Sequence, residues 1–185
     1  MEEKFEDRSV ITDRRTEKFD RFLITKENVV LDGKASPFSF LHFQEGVCIL
    51  PFVGDKVLIA CEYRYPVDSW QWELPGGGIE KEDKDLFAAA KRELHEETGY
   101  LCERFESLGF FYPSFGSTNE KINLVAAFID NEQDHEPDFD KTEQIVHKLV
   151  TKEEFRKLAG SREFCHAAGI AAWVRYCSAH NEAVL

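Results

Sequence analysis

The stretch from Trp70 to Gly99 limits the fold most. Trp70-Gln71-Trp72-Glu73-Leu74 reads as a short strand, Pro75-Gly76-Gly77-Gly78 breaks it with a turn, and an alanine-rich run leads into Arg92-Glu93-Leu94-His95-Glu96-Glu97-Thr98-Gly99. The pattern predicts a helix over about residues 84–97, because Leu86, Phe87, Ala90 and Leu94 fall in one apolar stripe at roughly 100° per residue. A strand, a glycine turn and an amphipathic helix in that order, with the strands and helices read along the rest of the chain, point to an α/β architecture.

The same helix carries chemistry. Glu93, Glu96 and Glu97 stand at i, i+3 and i+4, so they converge on one face, and Glu93 and Glu97 lie at the edge of the apolar stripe. Like-charged acids at a core boundary repel and raise each other's pKa unless a cation compensates them. Clustered carboxylate oxygens suit a hard divalent ion such as Mg²⁺ or Mn²⁺, which takes its remaining ligands from water and substrate phosphates. A solvated acidic helix face is the competing reading of such a string taken alone.

The flanking residues decide between them. Gly77 to Tyr100 resembles the Nudix box, G-x5-E-x7-R-E-U-x-E-E-x-G-U with U a bulky apolar residue, through Arg92, Glu93, Leu94, Glu96, Glu97, Gly99 and Tyr100. Its first half is irregular. Counting forward, Gly77 takes the glycine position and Asp83 the acidic one, with eight residues before Arg92; counting back from Arg92 gives Gly78 and Lys84. The first count, with one inserted residue, keeps an acid for the box's structural pairing between Arg92 and Asp83.

Further motifs narrow the resemblance. Glu62-Tyr63-Arg64-Tyr65-Pro66-Val67 followed by Trp72-Glu73-Leu74-Pro75-Gly76-Gly77 is similar to the Q-Y-R-Y…W-E-L-P-A-G region of ADP-ribose and nucleoside-diphosphate-sugar pyrophosphatases, and Tyr112-Pro113-Ser114-Phe115 to Lys121 is similar to their Y-P-S-P-G-F-x-x-E-K segment. Phe115 stands where those enzymes carry the second proline, the one associated with ADP-ribose, which leaves other nucleoside-diphosphate sugars open.

The resemblance implies an α/β/α sandwich with a mixed central sheet and a small N-terminal antiparallel strand extension. It implies hydrolysis of a pyrophosphate to a nucleoside monophosphate and a sugar phosphate, with Glu93, Glu96, Glu97 and the Gly77 carbonyl as ligands for Mg²⁺ or Mn²⁺. Arg64 is the candidate clamp on the pyrophosphate, since a guanidinium pairs bidentately with phosphate oxygens; a structural arginine is the alternative. Trp70, Tyr112 and Glu120 are candidate substrate contacts, although core filling is the commoner fate of a strand tryptophan. Glu96, Glu97 and Glu163 are the candidate catalytic residues, and the general base is open between Glu96 and the loop Gly160–His166, where Glu163 and His166 are candidates; a glutamate before a helix also serves simply to stabilise its dipole. Dinucleotides, CoA compounds and nucleoside triphosphates remain alternative substrates, and a non-catalytic nucleotide-sugar sensor is the reading outside enzymes.

Composition frames these expectations. A chain of 185 residues, 43% hydrophobic, suffices for one core. Its net charge of −12, with no basic patch interleaved with aromatics, argues against a nucleic-acid partner. The charged start is unlike a signal peptide, no apolar run is long enough for a membrane span, and five cysteines without a Cys-x-x-Cys pair suggest reduced thiols. A cytoplasmic enzyme is expected.

Residues 1–18 read as a charged, loose or partner-bound segment, followed by a domain over 19–185. Its first part, 19–45, holds strands at Phe22–Ile24, Asn28–Leu31 and Phe38–Phe43 with a turn at Asp32-Gly33; in the family such a piece pairs two subunits, so a homodimer is expected. Val47–Val53 and Val57–Ala60 around Gly54-Asp55 read as a hairpin. Further strands are expected at Phe105–Tyr112, Ile122–Ile129 and about 145–150, a polar loop at Asn131–Asp140, and helices after the capping box Thr151-x-x-Glu154 and over about 164–178.

Overall fold

The computed structural model describes residues 9–20, 22–31, 33–130 and 145–184. The expected loop Asn131–Asp140 lies outside them, as does Asp32 of the turn. Two compact units are present, one made of the chain up to Gln44 with Ser114–Glu120, the other of Glu45–Pro113 with Lys121 onward.

The first unit is an antiparallel meander of β1 (Ser9–Phe19), β2 (Phe22–Leu31) and β3 (Lys34–His42). The charged start is therefore a strand from Ser9, and the strands expected at Phe22–Ile24 and Asn28–Leu31 are one. Composition hid this because the charges are used across the ladder: Arg14 pairs with Glu27 at 2.7 Å, Lys26 with Glu17 at 3.6 Å, and the Thr16 and Thr25 hydroxyls meet at 2.8 Å. The Ser114–Glu120 segment joins this unit through Leu41, whose N–H donates to the Ser117 carbonyl at 3.0 Å while its own carbonyl accepts from Asn119 at 3.2 Å.

The second unit has a mixed seven-stranded sheet: β4 (Gly46–Val53), β5 (Lys56–Arg64), β6 (Ser69–Glu73), β7 (Gly76–Gly78), β8 (Arg104–Phe111), β9 (Ile122–Ile129) and β10 (Ile145–Thr151). Its order is β10-β5-β4-β9-β8, and among the described residues only β4 with β9 is a parallel pair of this sheet. Alternation sorts the core into two layers. Val47, Ile49 and Val53 of β4, with Val125, Ala127 and Ile129 of β9, pack with Ala89, Ala90 and Leu94 of α1 (Leu86–Thr98). Cys48, Leu50 and Phe52, with Leu124 and Ala126, face the other way and join Phe155 of α2 (Lys152–Ala159) and Ala172, Trp173 and Tyr176 of α3 (Ala167–His180). The result is the expected α/β/α sandwich.

α1 is capped by Asp85, which accepts from the Ala88 N–H at 2.9 Å, and ends at Gly99 in the left-handed region. Phe87 departs from the predicted stripe: it is 40% exposed and stacks on Phe105. Thr151 and Glu154 form the predicted capping box. α3 begins three residues later than expected because Phe164 drops into the core against Phe155 before the helix starts.

One irregularity builds the site. β4 and β5 form a hairpin but pair only at Phe52↔Val57 and Val53↔Lys56, then diverge. β6 takes the vacated edge of β5, and β7, the expected glycine turn, takes that of β4. The segment Trp70–Gly78 thus runs through a split in the sheet.

Candidate active site

Glycine lets the chain press into that split. The Ile49 N–H donates to the Pro75 carbonyl at 2.8 Å, and Gly76, Gly77 and Gly78 pair with Cys48, Val47 and Gly46. Gly76 sits at φ +153°, where a Cβ would overlap the Val47 carbonyl oxygen. At Gly77 a Cβ would lie 2.5–2.6 Å from the carboxylate atoms of Glu93. Any side chain at Gly77 would therefore require the Glu93 carboxylate of α1 to move.

The helix places its acids around that glycine strand. Glu97 Oε2 accepts from the Gly76 N–H at 3.0 Å. Arg92 gathers the rest, with Nη1 donating to Glu93 Oε1 at 2.8 Å and Glu96 Oε2 at 3.0 Å, and Nη2 donating to the Gly78 carbonyl at 2.8 Å and Asp83 Oδ2 at 3.0 Å. Arg92 and Asp83 are therefore paired despite the extra residue between them, and the ion pair pulls Asp83 below the usual carboxylate range. Burial pushes Glu93 up; Arg92 offsets this only in part, and Glu96 and Asp83 push it further.

Among the described residues no three acidic, His or Cys side chains form a ready-made metal cage. The guanidinium of Arg92 sits between Glu93 and Glu96 and supplies part of the positive charge that the cluster needs. The donor chemistry nevertheless fits a hard divalent cation: all donors are oxygens, Glu93 is short of compensating charge, and Gly77 leaves its carboxylate an open flank.

Beside this cluster lies a cleft of about 410 Å³ lined by Arg64, Val67, Gln71, Glu73, Cys165 and His166. Arg64 is held by two carboxylates: Nε and Nη2 donate to Glu73 at 3.1 and 2.7 Å, and Nη2 lies 3.0 Å from Glu62. Burial opposes its charge, but Glu73 and then Glu62 outweigh that and raise its pKa, with Glu97 adding to the same effect. Burial raises Glu73 to about 7, and repulsion from Glu62 adds to this against the pull of Arg64. His166 accepts the Leu74 N–H on Nδ1 at 3.1 Å, and burial, helped by Arg64, lowers it to about 4. It is neutral at pH 7, with its proton on Nε2 and its Nδ1 lone pair engaged, which disfavours it as a base.

Glu163 is exposed on the α2–α3 connection, the same connection that brings Cys165 and His166 to the cleft. Trp70 is half exposed with its ring edge-on to Tyr63, whereas Trp72 packs against the core. Tyr112 is half exposed beside Phe110. Glu120 is half-buried at the end of the Ser114–Glu120 segment and belongs to the first unit. Sequence reasoning missed Glu62 and Glu73 as partners of Arg64. Their signal was the strand period, which puts Glu62 with Arg64 on one face of β5, and the Ala60↔Glu73 register, which puts Glu73 on that same face.

A sequence profile of the NUDIX domain matches residues 42–168, more than half of the chain. The chain belongs to the Nudix family. This Nudix hydrolase is 29% identical over 133 residues to an ADP-ribose pyrophosphatase of Bacillus subtilis, across 71% of either chain. It is 34% identical over 97 residues, 52% of each chain, to a methanol dehydrogenase activator of Bacillus methanolicus. The crystal structure of an ADP compounds hydrolase superposes with a TM-score of 0.80 at 19% identity, covering 95% of this chain and 97% of that one, so the fold is shared. Nudix hydrolases generally depend on a divalent metal. Among the described residues no helix is long and apolar enough to cross a membrane.

Proposed function

We propose that the protein hydrolyses the pyrophosphate of a nucleoside diphosphate joined to a sugar, ADP-ribose or another nucleoside-diphosphate sugar, to a nucleoside monophosphate and a sugar phosphate. The observation that carries the reading is the adjacency of two differently built charge centres along one short segment: the Arg64 cleft at Glu73, and the acid cluster at Gly76 and Gly77. One suits the pyrophosphate anion, the other a cation.

Water attacks one phosphorus, a new P–O bond forms, and the bridging P–O bond breaks, leaving the second phosphate with the bridging oxygen. A divalent cation, Mg²⁺ or Mn²⁺, held by Glu93, Glu96, Glu97 and the Gly77 carbonyl would neutralise the charge that builds on these oxygens. Arg64 orients the substrate through its fork of donors. Glu97, fixed by the Gly76 N–H, and Glu93, fixed by Arg92, provide a rigid frame for the reaction. Glu96, whose side chain is 45% exposed, is positioned to receive the proton of the attacking water, with Glu163 of the loop as the second candidate. Trp70 and Tyr112 would contact the base and sugar.

We read the protein as a cytoplasmic enzyme, and as a homodimer on the surface of the first unit. Phe19 (72% exposed), Phe38 and Leu23 leave apolar surface on a three-stranded sheet that a second copy would cover. Assaying ADP-ribose, ADP-glucose, UDP-glucose and GDP-mannose with Mg²⁺ or EDTA tests the substrate class. Mg²⁺-dependent monophosphate release from at least one is expected, and inactivity on all four refutes the reading.

A further inference from the structure

The arrangement around Arg64 is unusual for an anion clamp. One guanidinium is shared by Glu62 and Glu73, so the three groups together carry a net negative charge when both acids are ionised. Glu73 is the deeper acid, its side chain 10% exposed, and it takes both Nε and Nη2 of the arginine. A pyrophosphate diester bears two negative charges that do not titrate near neutrality. Bringing it to this cleft adds negative charge beside two carboxylates that already compete for one cation, and draws that cation towards the phosphates. Uncompensated like charges in a half-buried site are relieved by protonation.

We propose that the Glu62–Glu73 pair takes up a proton when a pyrophosphate engages Arg64, which makes substrate binding a proton-coupled step. The inference rests on the reading that Arg64 binds the pyrophosphate. Glu73 is then a positioning residue: ionised, it holds the guanidinium in place in the free enzyme; protonated, it releases charge to the substrate.

The groups facing the pair leave it as the acceptor. Arg64 comes from the same strand as Glu62, and His147 of β10 stands opposite Ala60 on the same face of the sheet, where burial lowers its pKa and disfavours it as the acceptor. Cys48 of β4 and Cys61 of β5 both lie in the field of Glu73, which adds to burial in raising their thiols, so they are already protonated. His166, from the α2–α3 connection, is neutral and held at Nδ1 by the Leu74 N–H. Glu97 of α1 acts on Arg64 from farther off. Glu73, pushed up by burial to about 7, stands ready to change charge in the physiological range.

Isothermal titration of the full chain with α,β-methylene-ADP-ribose at pH 7.5 and saturating Mg²⁺, in buffers of different ionisation enthalpy, reads the proton count directly. The wild type should take up about half to three-quarters of a proton per site, since Glu73 is already about one-quarter protonated at pH 7.5, and its affinity should weaken by up to about tenfold per pH unit above pH 7, the limit for one linked proton. Glu73→Gln and Glu62→Gln should each bind the probe with an uptake near zero, because removing either acid leaves the other alone with Arg64. Near-UV circular dichroism verifies folding, and Glu62→Gln, at the more open acid, carries the test if Glu73→Gln unfolds. Binding by the wild type without uptake, or the same uptake in a folded variant, overturns the inference but not the substrate reading. Absence of any binding by the wild type overturns both.

Discussion

Replacing Gly77 by alanine separates the catalytic from the structural use of the glycine strand. The new Cβ would stand 2.5–2.6 Å from Oε1, Oε2 and Cδ of Glu93, whereas unstrained contacts of this kind lie near 3.5 Å, so the carboxylate must retreat by about 1 Å. The obstacle is the far end of a flexible side chain, and the backbone at Gly77 is not in the left-handed region, so the strand can keep its pairing with Val47. A displacement of about 1 Å in a group that positions the reaction costs on the order of 10²-fold in rate. Gly77→Ala should therefore lose about 10²-fold in kcat for Mg²⁺-dependent ADP-ribose hydrolysis while its melting temperature stays within a few degrees of wild type. Gly76→Ala is the contrast. There the Cβ meets the backbone of β4, overlapping the Val47 carbonyl and approaching the Cys48 Cα to 3.0 Å, and φ is +153°. Strand β7 must detach, at a cost of about 3 kcal/mol or more, and activity and stability fall together. Scanning fluorimetry with steady-state kinetics reads both. Full activity in Gly77→Ala would refute the placement of Glu93 as a working ligand against this strand.

Two buried groups should give opposite pH dependences of stability. Glu73 is raised in the folded protein from 4.5 to about 7, so between these values the folded state binds the extra proton and stability falls as pH rises; Glu73→Gln gains on wild type across that window by at most about 1.4 kcal/mol per pH unit. His166 is depressed from 6.5 to about 4, so there the unfolded state binds the extra proton and stability rises with pH; His166→Asn loses ground on wild type from pH 4 to 6.5. Urea denaturation at intervals between pH 4 and 7.5 gives both slopes, and parallel curves for wild type and variants would contradict the assigned environments. Leu94→Ala, at a fully buried position under α1, should cost about 2–5 kcal/mol in the same assay, and a loss below 1 kcal/mol would deny the tight packing of that helix.

The sequence was most readable where local rules act alone. Asp85 to Thr98 carries its own period, and Thr151 with Glu154 its own cap. Strand β1 was hidden, since its residues 11–19 are all exposed, so it needs no apolar alternation and its charges resemble those of a loose terminus. The acids of the helix could be placed around one face by spacing, but not the guanidinium of Arg92 between Glu93 and Glu96, which depends on how side chains share hydrogen bonds. Arg64 was singled out by its motif, yet its ties to Glu62 and Glu73 depend on the β5–β6 register, and that register follows from β4 and β5 diverging after two residue pairs. The close approach of Gly77 to Glu93 likewise needs the position of α1 over β7, which no local pattern encodes.

The central claim is metal-dependent cleavage of a pyrophosphate by the acids on α1. Hydrolysis of the best nucleoside-diphosphate sugar in ¹⁸O-water with Mg²⁺, by wild type and Glu97→Gln, with products weighed by mass spectrometry, tests it most directly. The glutamine keeps an oxygen to accept the Gly76 N–H, so the variant should fold and melt as wild type does. The account predicts one ¹⁸O atom in one of two monophosphate products from the wild type with Mg²⁺, none with EDTA, and loss of turnover in Glu97→Gln. Undiminished turnover in Glu97→Gln, or label appearing in inorganic phosphate instead of the two monophosphates, would contradict it.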